Sequence, residues 1–357
     1  MQPFILKAIE GVLVVMKKNI ALILTVIILV LSAFCACFAD DEVTTYKVGI
    51  CNYVDHEALN TAVEGIEARL AEYEAENPSV HFEIDYDNAQ ADANVLYQIV
   101  TDFISRGVDI MIGVATPVAL NMQASTEDNQ IPVVFAAVSD PVSAGLVESW
   151  DVPGGNVTGA SDYLNTTAMM NLIVAADPDV DNVALLYDLG QDSSTTAIAD
   201  AKAWLDEHNI AWTEYTGNTT DELKLACQSI VADGMDAVFT PSDNTVMYSE
   251  LALYETLAEA GIPHYGGSDS FAWDGAFVGY GVSYYDNGVA AANQVIDILV
   301  NGADPASIPV SLLDNGMATI NTDIAEQLGY DYDALVEAFT PYCTGIESVT
   351  LSDEAAE

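Results

Sequence analysis

IPVVFAAVSDPVSAG occupies residues 131–145. Residues 133–138 (VVFAAV) are an unbroken apolar run, which fits a strand buried on both faces of a parallel sheet. Pro141 ends that strand. Just before it, Ser139 and Asp140 place a hydroxyl and a carboxylate at the strand's carboxyl edge, where open α/β sheets bind ligands. Asp140 also suits a second role, capping the helix that follows.

The same theme of apolar strand, polar turn and amphipathic helix repeats on either side. Upstream, strands are predicted at 46–53, 80–86 and 108–114. The first ends in Asn52-Tyr53 and the third runs into Ala115-Thr116-Pro117. Helices at 57–74 and 94–105 carry Leu59, Val63, Ile66 and Leu70, and Val95, Ile99 and Phe103, each set on one face. Downstream, residues 154–159 lead to a crossing segment, after which the pattern restarts. Strands at 183–187, 211–215 and 237–240 alternate with helices ending near 208 and 232, and 263–267 leads to Ser268-Asp269. Residues 276–282 form another strand and a second crossing, followed by a helix from about 287 to 300 and a segment at 309–313. Alternation of this kind predicts an α/β protein of two doubly wound parallel-sheet lobes joined by a multi-strand hinge. The expected division is 46–160 plus 281–308 for lobe 1, 161–280 plus 309–345 for lobe 2, and 346–357 as a tail.

The 357 residues suffice for two lobes with their own cores. The formal net charge is −47, from 55 acidic and 8 basic residues. That balance repels nucleic acid and anionic membrane surfaces, so neither is expected as a direct partner. Lys17-Lys18, the apolar run 20–31 and the small residues after it read as a basic n-region, an h-region and a cleavage zone. Residues 1–37 are therefore expected to be a leader, with Met16 as the true start, and 38–45 a tether. Ala36 before Cys37 fits a lipobox, so lipidation of Cys37 is expected; the competing reading is cleavage after Ala39. Acyl chains on Cys37 would be the only attachment to the membrane, leaving the body on the outer face of the cytoplasmic membrane. Cys51, Cys227 and Cys343 form no metal or disulfide framework, although a Cys227–Cys343 bridge stays open.

Several pieces together resemble the substrate-binding proteins of bacterial ABC importers, in the group associated with tryptophan and tyrosine uptake. They are Asn88-Ala89-Gln90, Ala115-Thr116-Pro117, residues 132–141, Gly155-Asn156-Val157-Thr158-Gly159 with Ser161-Asp162, residues 241–246, residues 281–288 and Ile320-Asn321. The resemblance covers 48–329 and implies a type I periplasmic-binding-protein fold that holds an amino acid between its lobes. It implies an ABC permease and its ATPase as partners, and a monomer is expected. One departure is the loop at Asp192-Ser193-Ser194, where similar proteins carry a Glu-x-Ser element.

The polar strand ends that would converge on one cleft are Asn52, Tyr53, Thr116, Ser139, Asp140, Asp162, Asp243, Asn244 and Asp269, with Tyr187 and Tyr280 offering rings. Taken singly, each serves equally well as a cap, turn or core residue. Cations are scarce: the body has only Lys47, Arg69, Arg106, Lys202 and Lys224, none expected in the cleft. A ligand carboxylate would then be held by hydroxyls such as Thr116 and Ser139 at helix N-termini. A ligand ammonium would find Asp140, Asp243 or Asp269. A free amino acid satisfies both demands. No nucleophile-elbow, dinucleotide, phosphate-loop or zinc-protease motif is present, so the expectation is a binder without cofactor or metal, not an enzyme. The alternatives are a sugar- or nucleoside-type binding protein and a ligand-binding surface receptor of the same fold.

Overall fold

The computed structural model describes residues 16–18, 43–313 and 316–351. Cys37, and with it nearly all of the expected leader and tether, lies outside the described residues, as do 352–357. Apart from Thr44, Val80 and His81, both sheets belong to one compact unit, formed by Thr45–Glu76 and the described residues from 82 onward. Among the described residues no helix is long and apolar enough to cross a membrane.

Thirteen strands are described: β1 (Thr44–Asn52), β2 (Val80–Asn88), β3 (Ile110–Val114), β4 (Val133–Ala136), β5 (Val157–Ser161), β6 (Asn182–Tyr187), β7 (Ala211–Thr216), β8 (Ala237–Thr240), β9 (His264–Gly266), β10 (Val278–Gly281), β11 (Ser311–Leu312), β12 (Met317–Asn321) and β13 (Gly345–Val349). They form a six-stranded sheet in the order β11-β5-β4-β3-β1-β2 and a seven-stranded sheet in the order β13-β12-β10-β9-β8-β6-β7. The first sheet pairs in parallel wherever its register is defined, and in the second only β10 and β12 run antiparallel. The chain passes between the sheets three times, after β5, after β10 and between β11 and β12. Two parallel-dominated sheets with a three-stranded connection are the architecture that the strand–helix alternation predicts.

The helices are α1 (Glu57–Glu76), α2 (Ala93–Arg106), α3 (Thr116–Thr126), α4 (Thr166–Ala176), α5 (Asp192–His208), α6 (Thr220–Asp233), α7 (Asn244–Ser249), α8 (Tyr254–Glu259), α9 (Ser270–Trp273), α10 (Tyr284–Leu299), α11 (Thr322–Leu328) and α12 (Tyr332–Phe339). Their ends follow from side-chain chemistry. Asp92 caps α2 by accepting from the Asn94 and Val95 N–H groups, and Gly107 closes that helix in the left-handed conformation. Thr219 and Gly234 bracket α6 in the same way.

Each sheet has its own core. Met111, Val133, Phe135 and Phe103 are fully buried around the first, and Leu185, Phe239, Tyr265 and Tyr280 around the second. Three expectations are corrected. Residues 311–312, expected in lobe 2, extend the first sheet by pairing with β5. Residues 345–349, most of which were expected in a tail, form β13 alongside β12. The strand predicted over 133–138 ends at Ala136, because Ala137 turns left-handed (φ 53°) and gives its N–H to Asn287 Oδ1 at 2.9 Å. Cys51, Cys227 and Cys343 are free thiols, so no Cys227–Cys343 bridge exists.

Candidate functional site

The parallel register places the carboxyl ends of the first sheet in one row. Asn52 lies beside Val114, Val114 beside Ala136, and Phe135 beside Gly159. Neighbouring strands are about 4.8 Å apart. Asn52, Thr116, Ser139 and Asp162 therefore project from adjacent strand ends. Ala115, between β3 and α3, has φ 80° and ψ 153°, a region other than glycine rarely visits. That strain sits directly before Thr116, whose Oγ1 is buried without a hydrogen-bond partner.

Three further cleft atoms share this condition: Asn52 Oδ1, Asp162 Oδ1 and Ser193 Oγ. Asn52 uses only its amide nitrogen, donating to Asn60 Oδ1 at 2.9 Å. Ser193 lies in the first turn of α5, as Thr116 opens α3, so both orphaned hydroxyls stand at helix N-termini, where anions are favoured. Buried polar groups are nearly always paired. Of the ten buried side-chain atoms left unpaired among the described residues, these four stand at facing sheet edges.

Asp162 is the most exacting of these groups. It is 6 % exposed, and Tyr284 donates to its Oδ2 at 2.8 Å. Burial pushes its carboxyl above the usual range, and the hydroxyls of Tyr284 and Ser139 only partly counter this. No ion pair reaches it among the described residues. Asp269 is raised by burial too, against hydrogen bonds from the Ser270 N–H and the Ser268 hydroxyl. Tyr284 joins the two, since the charges of both carboxylates act on its phenol. Burial first, then Asp162, push that phenol well above its ordinary value.

Other expected site residues have different tasks. Asp243 caps α7 through Oδ1, accepting from the Thr245 and Val246 N–H groups at 3.0 Å. Its Oδ2 accepts from the Asp188 N–H at 2.9 Å and from Ser194 Oγ at 2.6 Å. All its bonding capacity goes to the second lobe, so it is not free to meet an ammonium. Asp140 ties the lobes together: Thr196 of α5 donates to its Oδ2 at 2.7 Å and the Ser143 N–H to its Oδ1 at 3.0 Å. Burial would raise the Asp140 carboxyl, but these donors outweigh it and hold the group below the usual range. Tyr187 gives its hydroxyl to Glu214, which also pairs with Lys202, at the sheet's outer edge. Tyr280 is fully buried in the second core with its hydroxyl on the Tyr342 carbonyl at 3.3 Å. Neither ring faces the cleft.

Tyr53 and Asn244 line one recess. Tyr53, Val54 and Ala91 from the first lobe and Gln191, Asn244 and Tyr248 from the second line a recess of about 350 Å³. Asn244 donates to Gln191 Oε1 at 3.0 Å. Beside it, the gap where Ser139 and Asp140 face Ser193 and Ser242 closes to about 10 Å³, room for about one water molecule. A larger groove of about 720 Å³ runs beside β7 and α6 on the outer edge of the second sheet, but none of the orphaned atoms lines it. His56 and Asp274 make a second contact between lobes at 3.1 Å. Four of the five body cations are engaged away from the cleft: Lys47 on the Arg106 carbonyl, Arg69 on Asn293 and Glu72, Arg106 on Asp85, and Lys202 on Glu214. Lys224 is exposed on α6.

Sequence reasoning missed Ser193, Thr196 and Tyr284. Tyr284 had a usable signal: Ser283 followed three residues later by Asp286 is a helix-start pattern, and Ser283 does accept from the Asp286 N–H. Reading it would have placed the helix start at Tyr284 and not near 287.

Comparison with known proteins agrees with this geometry. Residues 47–340 match the family model described as ABC transporter substrate binding protein. A tyrosine-binding protein of Clostridioides difficile (strain R20291) is 30 % identical over 282 residues, 79 % of this chain and 80 % of the relative. The ABC domain solved in complex with L-Trp from Streptococcus pneumonia superposes with a TM-score of 0.78 at 28 % identity, covering 85 % of this chain and 100 % of the other. A ligand-free, open substrate-binding protein with adhesive properties from Clostridium difficile gives 0.64 at 27 % identity, covering 85 % and 99 %. At nearly equal identity the chain lies nearer the ligand-bound relative than the open one, in keeping with the lobe-to-lobe contacts of Asp140 and His56.

Proposed function

Since this chain belongs to the ABC transporter substrate binding protein family, we propose that it captures a free aromatic amino acid, tyrosine or tryptophan, between its lobes and delivers it to a membrane permease driven by an ATPase. One observation carries the reading: Asp162, a buried carboxylate with one unused oxygen and no cationic partner among the described residues, in a cleft where the orphaned hydroxyls of Thr116 and Ser193 stand at helix N-termini and Asn52 Oδ1 is also unpaired. A buried charge without a partner is costly. An α-ammonium supplies the missing cation, and an α-carboxylate accepts from Thr116 and Ser193. Tyr53 and Tyr248 in the adjoining recess offer rings for an aromatic side chain. The ligands of the tyrosine- and tryptophan-binding relatives support that choice.

In this reading the protein works by closure. Ligand bridges the two sheet edges and stabilises the closed arrangement by its higher affinity for it. The role is binding, not catalysis. The body acts outside the cytoplasm, tethered through lipid on Cys37, as a monomer.

Thermal-shift screening of the purified body against the twenty amino acids and common sugars tests the proposal. A ligand at about 100 times its Kd stabilises by about 2.7 kcal/mol, a shift easily read. Stabilisation by tyrosine or tryptophan is expected; a response to sugars alone would overturn the reading.

A further inference from the structure

Tyr284 is the first residue of α10 and is 3 % exposed. Its hydroxyl donates to Asp162 Oδ2 at 2.8 Å, while Asp162 Oδ1 is buried without a partner. We propose that Tyr284 is a positioning residue of the ligand site, holding one oxygen of Asp162 so that the other is presented to the ligand's ammonium group. The inference rests on the reading of the cleft as an amino acid site, and it adds a residue that touches Asp162 and not the ligand.

A carboxylate with one oxygen pinned keeps little freedom about its last torsion, so its second oxygen holds one direction. That preorganisation saves the ordering cost otherwise met on binding. The location adds a second argument. Asp162 opens the crossing after β5, and Tyr284 closes the crossing after β10. Their bond therefore ties two of the three connections between the lobes, so the direction of the free oxygen is linked to the hinge. The neighbours supply the third. Tyr284 and Ser139 face Asp162; Asp162, Ser268 and Asp269 face Tyr284. The cluster holds hydroxyls and carboxylates and no cation, which is what an arriving ammonium provides.

The experiment is calorimetric titration of tyrosine and tryptophan from about pH 4 to 8, for the natural protein, Asp162→Asn and Tyr284→Phe. Pairing with an ammonium requires ionised Asp162, so affinity falls as pH drops through the carboxyl's pKa in the free protein. The Tyr284 hydroxyl favours the ionised form. Removing it raises that pKa, so in Tyr284→Phe the fall begins at higher pH, and affinity near neutrality drops about tenfold, as for loss of a hydrogen bond to a charged group. A ring-fluorinated tyrosine at position 284 is a stronger donor of nearly the same shape and moves the fall to lower pH, which keeps the test open should the Phe variant not fold. A loss of the same factor at every pH, or an unchanged affinity, overturns the positioning role. If the natural protein and Asp162→Asn behave as expected and both position-284 variants leave the pH profile unmoved, only this inference fails. If the natural protein binds no free amino acid, the reading of the cleft fails and takes this inference with it.

Discussion

Asp162 and Asp243 show how two carboxylates of similar sequence context part company once folded. Both follow a strand, and both are raised by burial. Asp243 is answered by four donors from its own lobe, whereas Asp162 keeps an oxygen unanswered. Nothing in the local sequence separates a cap from a ligand group, so Asp243 is readable from sequence as a site residue and only the fold reassigns it. The contrast yields three predictions. Asp162→Asn should weaken amino acid binding roughly thirtyfold or more, from the ~2–5 kcal/mol lost when one partner of a buried charge pair is removed. The same substitution should stabilise the ligand-free protein increasingly as pH rises. Because the folded pKa of Asp162 lies above the unfolded value of ~3.9, the natural carboxyl costs stability once pH climbs past that unfolded value, and the full cost is reached above the folded one. Melting curves at acid and neutral pH should show the two proteins alike in acid and the variant ahead near neutrality. Asp243→Ala should instead lose about 2–4 kcal/mol of stability in urea unfolding, from a lost cap and newly orphaned donors, while the folded fraction binds ligand nearly as before.

Elements were more legible than side chains. Periodicity finds the strand–helix order because every buried parallel strand must be apolar on both faces and every covering helix on one. It fails where a contact from afar decides. β4 stops early because Asn287, far along the chain, takes the N–H of Ala137. β13 is partly exposed and carries Glu347, so nothing in its pattern announces a strand until β12 lies beside it. The packing of α1 on α10 is likewise invisible locally. A Cβ on Gly288 would come within 1.9 Å of the Ala62 carbonyl oxygen, and one on Gly65 within 2.2 Å of the Tyr285 carbonyl oxygen. The two helices thus touch backbone to backbone at the end that carries Tyr284 and Asn287. Gly288→Ala should force them apart, costing about 1–3 kcal/mol or more by overpacking, visible as a lowered Tm. It should also weaken ligand binding, since the helix that shift would move holds Asp162 through Tyr284. The clasp across the cleft gives a milder case. Thr196→Val removes the hydroxyl that Asp140 accepts from in the closed arrangement. Calorimetry should show affinity lowered roughly two- to tenfold, the worth of one net hydrogen bond of about 0.5–1.5 kcal/mol.

At the scale of the whole molecule, charge works against the closed arrangement. With 55 acidic and 8 basic residues, most carboxylates have no cation to meet. Closure brings Asp140 of the first lobe near Asp200 of α5, whose carboxyl is raised by burial and by the Asp140 charge. The lobes thus repel across the very gap the ligand must hold shut. Salt screens such repulsion between exposed groups, as the Debye length shrinks from about 10 Å at 0.1 M to about 3 Å at 1 M, and leaves a buried ammonium–carboxylate pair largely untouched. A zwitterion has no net charge to be steered from a distance, so the salt response of its affinity reports on the lobes themselves. Tyrosine affinity should therefore rise between about 0.1 M and 1 M sodium chloride, and Tm of the ligand-free protein should rise with it as self-repulsion is screened. Titration calorimetry at the two salt concentrations, with scattering to follow the radius of gyration of the free protein, separates the possibilities. If affinity falls with salt, an exposed ion pair to the ligand dominates and Asp162 is not the buried partner; if it rises while the free protein contracts, repulsion between two acidic lobes sets how readily the cleft closes.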